Sequence, residues 1–150
     1  MKRKLFLVLT VALALLSCNE KVDDHAAIII VLEKESATWR SGDLKGHAAC
    51  WKIQPYSKIL VSTGDSTVLD VPPEYMISPP GGRMGNGGSF VNTNYKMNIS
   101  GNNAWVSHNE ESTASDGKKS YSYEIRILEK INMDWKLVGQ SIHLYKPKIK

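Results

Sequence analysis

Four long runs of strand-forming residues fill the second half of this chain, and they constrain its fold more than any other feature. The runs span residues 90–99, 104–111, 119–130 and 135–146. Short segments rich in glycine, asparagine and aspartate separate them, at residues 100–103, 116–117 and 132–134. Such residues favour tight turns. The pattern therefore predicts an antiparallel meander of four strands.

The first half of the chain combines helical and hairpin patterns. Apolar residues at helical spacing predict a helix over residues 24–40, although residues 28–32 alone would also suit a buried strand. The residues assigned to the buried face of this helix are Ala27, Ile28, Val31, Leu32, Ala37 and Trp39. Gly42 is typical of a helix end, and Asp43 of the cap of a short second helix. Residues 59–61 and 68–71 flank Gly64-Asp65, which predicts a β-hairpin.

The segment over residues 72–89 contains many helix and strand breakers. Pro79-Pro80-Gly81-Gly82 is followed by a glycine-rich stretch over residues 85–88. We expect a flexible loop with one helical turn at residues 74–77. The stretch lacks the Lys-Ser/Thr ending of a phosphate-binding loop.

The N-terminus has the layout of a signal peptide. Three basic residues precede an apolar run over residues 5–16, which is too short to span a membrane. The segment Leu15-Leu16-Ser17-Cys18 resembles the bacterial lipobox, which implies cleavage before Cys18 and lipidation of that cysteine. We therefore expect a signal peptide (1–17), a lipidated tether (18–24), one domain (25–146) and a basic tail (147–150). The predicted location is the cell envelope, anchored to a membrane outside the cytoplasm.

Removal of the signal peptide changes the charge balance. It takes away three of the 19 basic residues and leaves 16 against 15 acidic ones. The mature chain is therefore nearly neutral. The sequence contains no stripe of basic residues interleaved with aromatic ones, so a nucleic-acid partner is not expected. Cys50 would be the single remaining thiol, so an intramolecular disulfide is excluded.

The order of these elements resembles the nuclear-transport-factor-2-like proteins, including the SnoaL-like and kinase-association-domain-like branches. The local matches are Trp39 with Gly42-Asp43, Trp51 with Pro55-Tyr56, residues 101–106, and residues 124–130 ahead of 135–138. The resemblance implies an α+β fold in which a curved antiparallel sheet forms a cone around N-terminal helices and leaves a pocket. Catalytic branches commonly carry a carboxylate before the first strand. No acidic residue lies between Asp43 and Asp65 here, which disfavours an enzyme.

The predicted register places several polar residues on one sheet face. A hairpin centred near Asp116-Gly117 brings His108 opposite Arg126 and Glu110 opposite Glu124. A tight turn near Met133 adds the odd-numbered residues of the last strand, with Gly139 opposite Arg126, and His143 further along. A slip of one residue would instead add the even-numbered residues from Lys136 to Leu144. The helices cover either this face or the apolar one. In the second case the polar residues form a solvated sheet surface.

Arg126 is the principal candidate for a binding residue, because its position resembles that of a pocket arginine in the kinase-association branch. A guanidinium group suits a carboxylate, so we expect a small organic ligand, with organic acids as one candidate class. The other candidate ligand-binding residues are Trp51, Tyr56, His108, Glu110 and His143. Rival hypotheses are an acid–base enzyme of the isomerase, cyclase or hydrolase type that uses His108 and Glu110, and an accessory subunit that docks an envelope protein.

We expect no cofactor and no metal, since the four histidines lack ligand spacing. The apolar sheet face predicts a homodimer.

Overall fold

The computed structural model describes residues 23–85 and 87–147. It contains helices α1 (Asp24–Ser41) and α2 (Leu44–Ala48), and strands β1 (Ile59–Ser62), β2 (Val68–Val71), β3 (Ser89–Ser100), β4 (Asn103–Thr113), β5 (Lys119–Ile131) and β6 (Asp134–Tyr145). Single 3₁₀ turns occupy Pro73–Met76 and Pro80–Gly82. The predicted signal peptide and Cys18 lie outside the described residues. Within those residues, no helix has the length and apolarity needed to cross a bilayer.

The predicted boundary between the two helices is confirmed. Gly42 ends α1 in the left-handed conformation, with φ of 73°. The Asp43 carboxylate then accepts a hydrogen bond of 2.8 Å from the Gly46 backbone N–H and so caps α2. One detail of the predicted α1 face was wrong, because Ala37 is exposed and Glu35 and Ser36 are buried at that level. Glu35 and Ser36 thus bring polar groups into the interior.

The six strands form one curved sheet in the order β2-β1-β6-β5-β4-β3. All neighbouring pairs are antiparallel except β1 and β6, which run parallel. The predicted hairpin between β1 and β2 is confirmed, and so is the meander from β3 to β6. Because β6 lies between β1 and β5, the last strand of the chain occupies the middle of the sheet.

The predicted pairing of β4 with β5 was wrong by two residues. His108 lies opposite Glu124, Arg126 opposite Val106, and Glu110 opposite Ser122. The Ala114 N–H donates to the Lys118 carbonyl and the Gly117 N–H to the Ala114 carbonyl, so the turn is centred at residue 116. Moving the centre by one residue shifts the pairing by two and leaves every side chain on its predicted face.

An irregularity in β6 combines the two predicted registers. Leu128 pairs with Leu137 while Ile127 pairs with Gly139, which leaves Val138 as an extra residue in a β-bulge. Trp135 and Leu137 therefore lie on the face shared with Arg126, as the first register predicted. Beyond the bulge that face carries Gln140, Ile142 and Leu144, as the second register predicted, and Gln140 rather than Gly139 lies opposite Arg126.

Helix α1 covers the face of the sheet that carries the polar residues, which we call the inner face. Ile28 and Leu32 of α1 join Val106, Leu128 and Leu137 of the strands in one buried cluster. His108, Glu110, Glu124 and Arg126 are buried beside this cluster. Of the two alternatives left open by the sequence, the solvated polar sheet surface is therefore the wrong one. The opposite, outer face leaves Trp105, Tyr123 and Ile127 partly exposed.

Candidate functional site

A cavity of about 410 Å³ lies at the open end of the cone, between α1 and the inner face of the sheet. One side of it is apolar and includes Trp39, Val61, Val71, Met76, Ile142 and Leu144. The other side carries five ionisable side chains, namely Glu35, Arg40, Glu110, Glu124 and Arg126. The cavity thus offers an apolar wall and a charged wall to whatever occupies it.

Arg126 lies in the charged wall, and its guanidinium is already paired. It donates hydrogen bonds to the Glu124 carboxylate and to the side-chain oxygen of Gln140. A second carboxylate oxygen, Oε2 of Glu35, lies 3.4 Å from its Nη1. Burial favours loss of the proton, but the carboxylates of Glu124, Glu35 and Glu110 outweigh burial and raise the pKa of Arg126. The cation is therefore permanent and compensated by the protein itself.

Glu124 links Arg126 to His108 in the interior. Its carboxylate accepts a hydrogen bond of 2.8 Å from the Ser122 hydroxyl, and its Oε2 lies 3.7 Å from Nε2 of His108. Burial alone would raise the pKa of Glu124, yet the Arg126 charge and His108 hold it below its usual value. Burial, reinforced by Arg126, lowers the pKa of His108 to about 4. His108 is therefore neutral at neutral pH.

Glu110 and Arg40 form a second ion pair beside the first. The Glu110 carboxylate receives hydrogen bonds from Nη2 of Arg40 at 2.5 Å and from the Ser36 hydroxyl at 3.2 Å. Arg40 also donates to Ser112 at 2.8 Å. Burial and the nearby Glu124 charge raise the pKa of Glu110, and Arg40 offsets only part of that effect.

Glu35 is a carboxylate of the cavity that makes no comparable bond. Its side chain is only 7% exposed, and nothing in residues 23–85 and 87–147 donates a hydrogen bond to its carboxylate. The nearest nitrogens are Nη1 of Arg126 at 3.4 Å and Nε2 of His47 at 3.7 Å. Glu35 therefore keeps unfilled acceptor capacity at the cavity wall.

The sequence identified Glu110 and Arg126 and missed Glu35 and Arg40. A signal for Glu35 was present, because residues 28, 32, 35 and 39 repeat at helical spacing and Glu35 is the charged member of that stripe. A charge on a buried stripe needs a partner across the interface. Arg40 had no such signal, since it lies at the edge of the stripe.

Four predicted site residues lie outside the cavity lining. Trp51 is buried in the core and forms an isolated β-bridge with Leu137. The exposed Tyr56 donates a hydrogen bond to Glu129. His143 is on the outer face, because the bulge shifts the alternation of side chains between the two faces of β6 by one residue. Its Nε2 lies 2.9 Å from the Ser141 hydroxyl. His108 is fully buried behind Glu124, 5.0 Å from the Tyr95 ring.

Two other chemistries find little support in the described residues. No group of three or more histidine, cysteine, aspartate or glutamate side chains there is arranged to hold a metal ion. Burial raises the pKa of the Cys50 thiol to about 11, so that cysteine is not a nucleophilic thiolate at neutral pH.

Comparison with known proteins supports the architecture alone. No protein-family model and no curated protein sequence matches the chain. Among solved structures, an NTF2-like protein from Cytophaga hutchinsonii has a TM-score of 0.63 at 13% identity, over 82% of this chain and 99% of that one. An NTF2-like protein of unknown function from Methylobacillus flagellatus has a TM-score of 0.60 at 20% identity, over 83% and 94% of the two chains.

A proposed Ca/calmodulin-dependent kinase II association domain from Exiguobacterium sibiricum is similar too. Its TM-score is 0.61 at 10% identity, over 83% of this chain and 95% of that one. At such identities the likeness is one of fold. The strand order, the two N-terminal helices and these structures together show that the chain has the nuclear-transport-factor-2-like α+β fold, as its sequence motifs predicted.

Proposed function

We propose that this protein binds a small organic molecule in the cavity at the open end of the cone. The observation that carries the proposal is the pairing of an apolar wall with a buried charged wall around a space of about 410 Å³. Ligand sites of folded proteins commonly combine a mainly apolar lining with a few fixed polar groups. Proteins of this fold often bind ligands or act as enzymes, but fold alone does not decide between these roles.

The class of ligand follows from the charges. Arg126 was expected to receive a ligand carboxylate and to pair with Glu110 or Glu124 in the empty site, and Glu124, Glu35 and Gln140 surround it. A carboxylate ligand would have to displace one of these groups or bind with a proton on Glu110. Binding of an organic acid stays a prediction of the sequence, and the paired arginines count against it.

Acid–base catalysis is the second candidate, and Glu110 is the residue that favours it. Its carboxyl lies in the cavity wall with a raised pKa, as a proton-transfer group requires. The proposed partner, His108, contacts Glu124 rather than Glu110 and does not line the cavity. We therefore favour binding over catalysis.

The cavity can be tested by filling it. Val61 lines the cavity, whereas the adjacent Leu60 lies on the other face of β1. We expect Val61→Trp to abolish the binding of benzyl alcohol, benzylamine and phenylacetate, which share one ring and differ in polar end, because the indole occupies the space. The measurement is a titration of the purified protein followed by NMR chemical shifts.

Leu60→Trp is the matched control and should bind as the parent does. Binding that survives in Val61→Trp would place the ligand elsewhere. The failure of all three compounds to shift any resonance of a cavity residue in the parent would contradict the proposal itself.

A further inference from the structure

The charged wall of the cavity has one carboxylate more than it has cations. Glu35, Glu110 and Glu124 face Arg40 and Arg126, and all five line the same space. Two of the carboxylates have a guanidinium partner of their own, since Arg40 pairs with Glu110 and Arg126 with Glu124. Glu35 has no guanidinium of its own, since it shares Arg126 with Glu124 at 3.4 Å from Nη1, and its other nitrogen neighbour is Nε2 of His47 at 3.7 Å.

Hydrogen bonding singles out the same residue independently of the charge count. Glu110 receives bonds from Ser36 and Arg40, and Glu124 receives them from Ser122 and Arg126. Within the described parts of the chain, the Glu35 carboxylate receives none, although its side chain is 93% buried. A buried carboxylate without donors is costly, and a ligand that brings N–H groups would remove that cost.

We propose that the cavity takes the cationic amine end of an amphipathic small molecule, with the Glu35 carboxylate as the acceptor of its N–H groups. This inference rests on the proposed binding function and specifies its ligand class. An ammonium group supplies both the missing positive charge and the missing donors. The apolar wall of Val61, Val71, Ile142 and Leu144 would then receive the apolar part of the ligand.

The rival polar ends fit the wall less well. A carboxylate would add a fourth negative charge to the three already present, in a space where water screens charges poorly. A hydroxyl group supplies a donor for Glu35 and leaves the surplus charge uncompensated. The raised pKa of Glu110, caused by burial and by the charge of Glu124, is consistent with a surplus of negative charge at this wall.

The test compares three ligands of the form benzyl-X. Benzylamine, benzyl alcohol and phenylacetate are titrated at neutral pH into the purified full-length protein, with NMR chemical shifts as readout. A charge-assisted hydrogen bond should make benzylamine bind about tenfold more tightly than benzyl alcohol, and phenylacetate should bind most weakly. Glu35→Gln should lower the affinity for benzylamine about tenfold and change that for benzyl alcohol by less than about threefold.

Glu111→Gln is the matched control, because it removes one carboxylate charge on the outer face, where Glu111 pairs with Lys119. It should leave all three affinities unchanged. Equal or tighter binding of phenylacetate would overturn the inference and leave the binding function standing. An unchanged benzylamine affinity in folded Glu35→Gln would overturn the role of Glu35. If none of the three compounds binds, the inference and the proposed function both fail.

Discussion

At the scale of single residues, His108 shows how the interior controls protonation. Its side chain is fully buried, and its two ring nitrogens have no hydrogen-bond partner among the described residues. Protonation would add a second cation beside Arg126, which together with burial lowers the pKa of His108 from 6.5 to about 4. His108 is therefore protonated at a lower pH in the folded protein than in the unfolded chain.

This difference predicts a pH dependence of stability. Between about pH 6.5 and about pH 4 the unfolded state binds a proton at His108 that the folded state does not. The contribution of His108 to the free energy of unfolding is therefore fully present above pH 6.5 and is lost as the pH falls towards 4. The loss from this residue is at most about 3 kcal/mol. Urea unfolding of the parent and of His108→Gln across this range should show a smaller loss in the variant.

His143→Gln is the control for that experiment, since it makes the same replacement on the outer face. It should retain the pH dependence of the parent. Parallel stability curves for the parent and His108→Gln would show that His108 is not held neutral in the folded state.

At the scale of elements, the glycine-rich loop before β3 is shaped by close contacts. A Cβ atom on Gly85 would lie 2.7 Å from the Trp39 carbonyl oxygen, and the Gly87 N–H donates a 2.7 Å hydrogen bond to the Arg40 carbonyl. Gly88 is closer still to its neighbours, with a Cβ position 2.0 Å from the Thr113 carbonyl oxygen and φ of 91°. These glycines let the loop approach both α1 and β4.

We therefore expect Gly88→Ala to destabilise the protein by at least about 2 kcal/mol, through backbone strain together with overlap. Gly117→Ala separates the two causes, because Gly117 also has a positive φ, of 83°, and has open space where its Cβ would be. It should cost about 1 kcal/mol. Chemical denaturation of both variants measures the difference between their free energies of unfolding. Equal losses would mean that the loop shifts to make room for the new Cβ without a further loss of stability.

The elements themselves were predictable from the sequence, because the signals are local. Gly42 and Asp43 indicated the boundary between the two helices, and turn residues indicated where the strands of the meander are connected. Arg126 and Glu110 were placed on the correct face, since period-two alternation survives an error of two residues in register. The bulge at Val138 was missed although Gly139 lies next to it, because an isolated glycine in a strand is compatible with a bulge but does not show which register the strand takes.

The partners of the site residues were harder to predict, because they belong to a different element. Arg40 and Glu35 come from α1 and meet Glu110 and Arg126 across a helix–sheet interface. Periodicity states which face of a helix is buried, but not which residue of the sheet it meets. The contacts of Arg126 with Glu35 and Gln140 therefore emerged only from the three-dimensional structure.

At the scale of the whole molecule, the outer face of the sheet predicts self-association. Trp105, Tyr123 and Ile127 are 43%, 39% and 47% exposed there. Contiguous apolar surface of this kind is rare in monomers, so we expect a symmetric dimer formed across this face. Light scattering should give the mass of two chains for the parent and of one chain for Ile127→Lys, which places like charges against each other. A monomeric parent at high micromolar concentration would contradict the prediction.

Attachment to a membrane is a separate prediction of the sequence, at a cysteine outside the described residues. If Cys18 is lipidated, Cys18→Ala produced in a bacterial host should lose labelling by a fatty-acid probe and remain unprocessed or soluble. Cys50→Ala should keep the label, since Cys50 is buried in the domain core. Equal labelling of the parent and Cys18→Ala would refute the lipid anchor.

The extra residue in β6 assigns different tasks to the two halves of one strand. Before the bulge, Trp135 and Leu137 are sealed in the core, whereas after it Gln140, Ile142 and Leu144 face the cavity. Under the proposed binding function, replacements of the cavity-facing residues in the later half would alter which compounds bind and would leave Trp135 and Leu137 in place. On that proposal, one strand carries both a segment that holds the core together and a segment in which ligand preference could be changed by substitution.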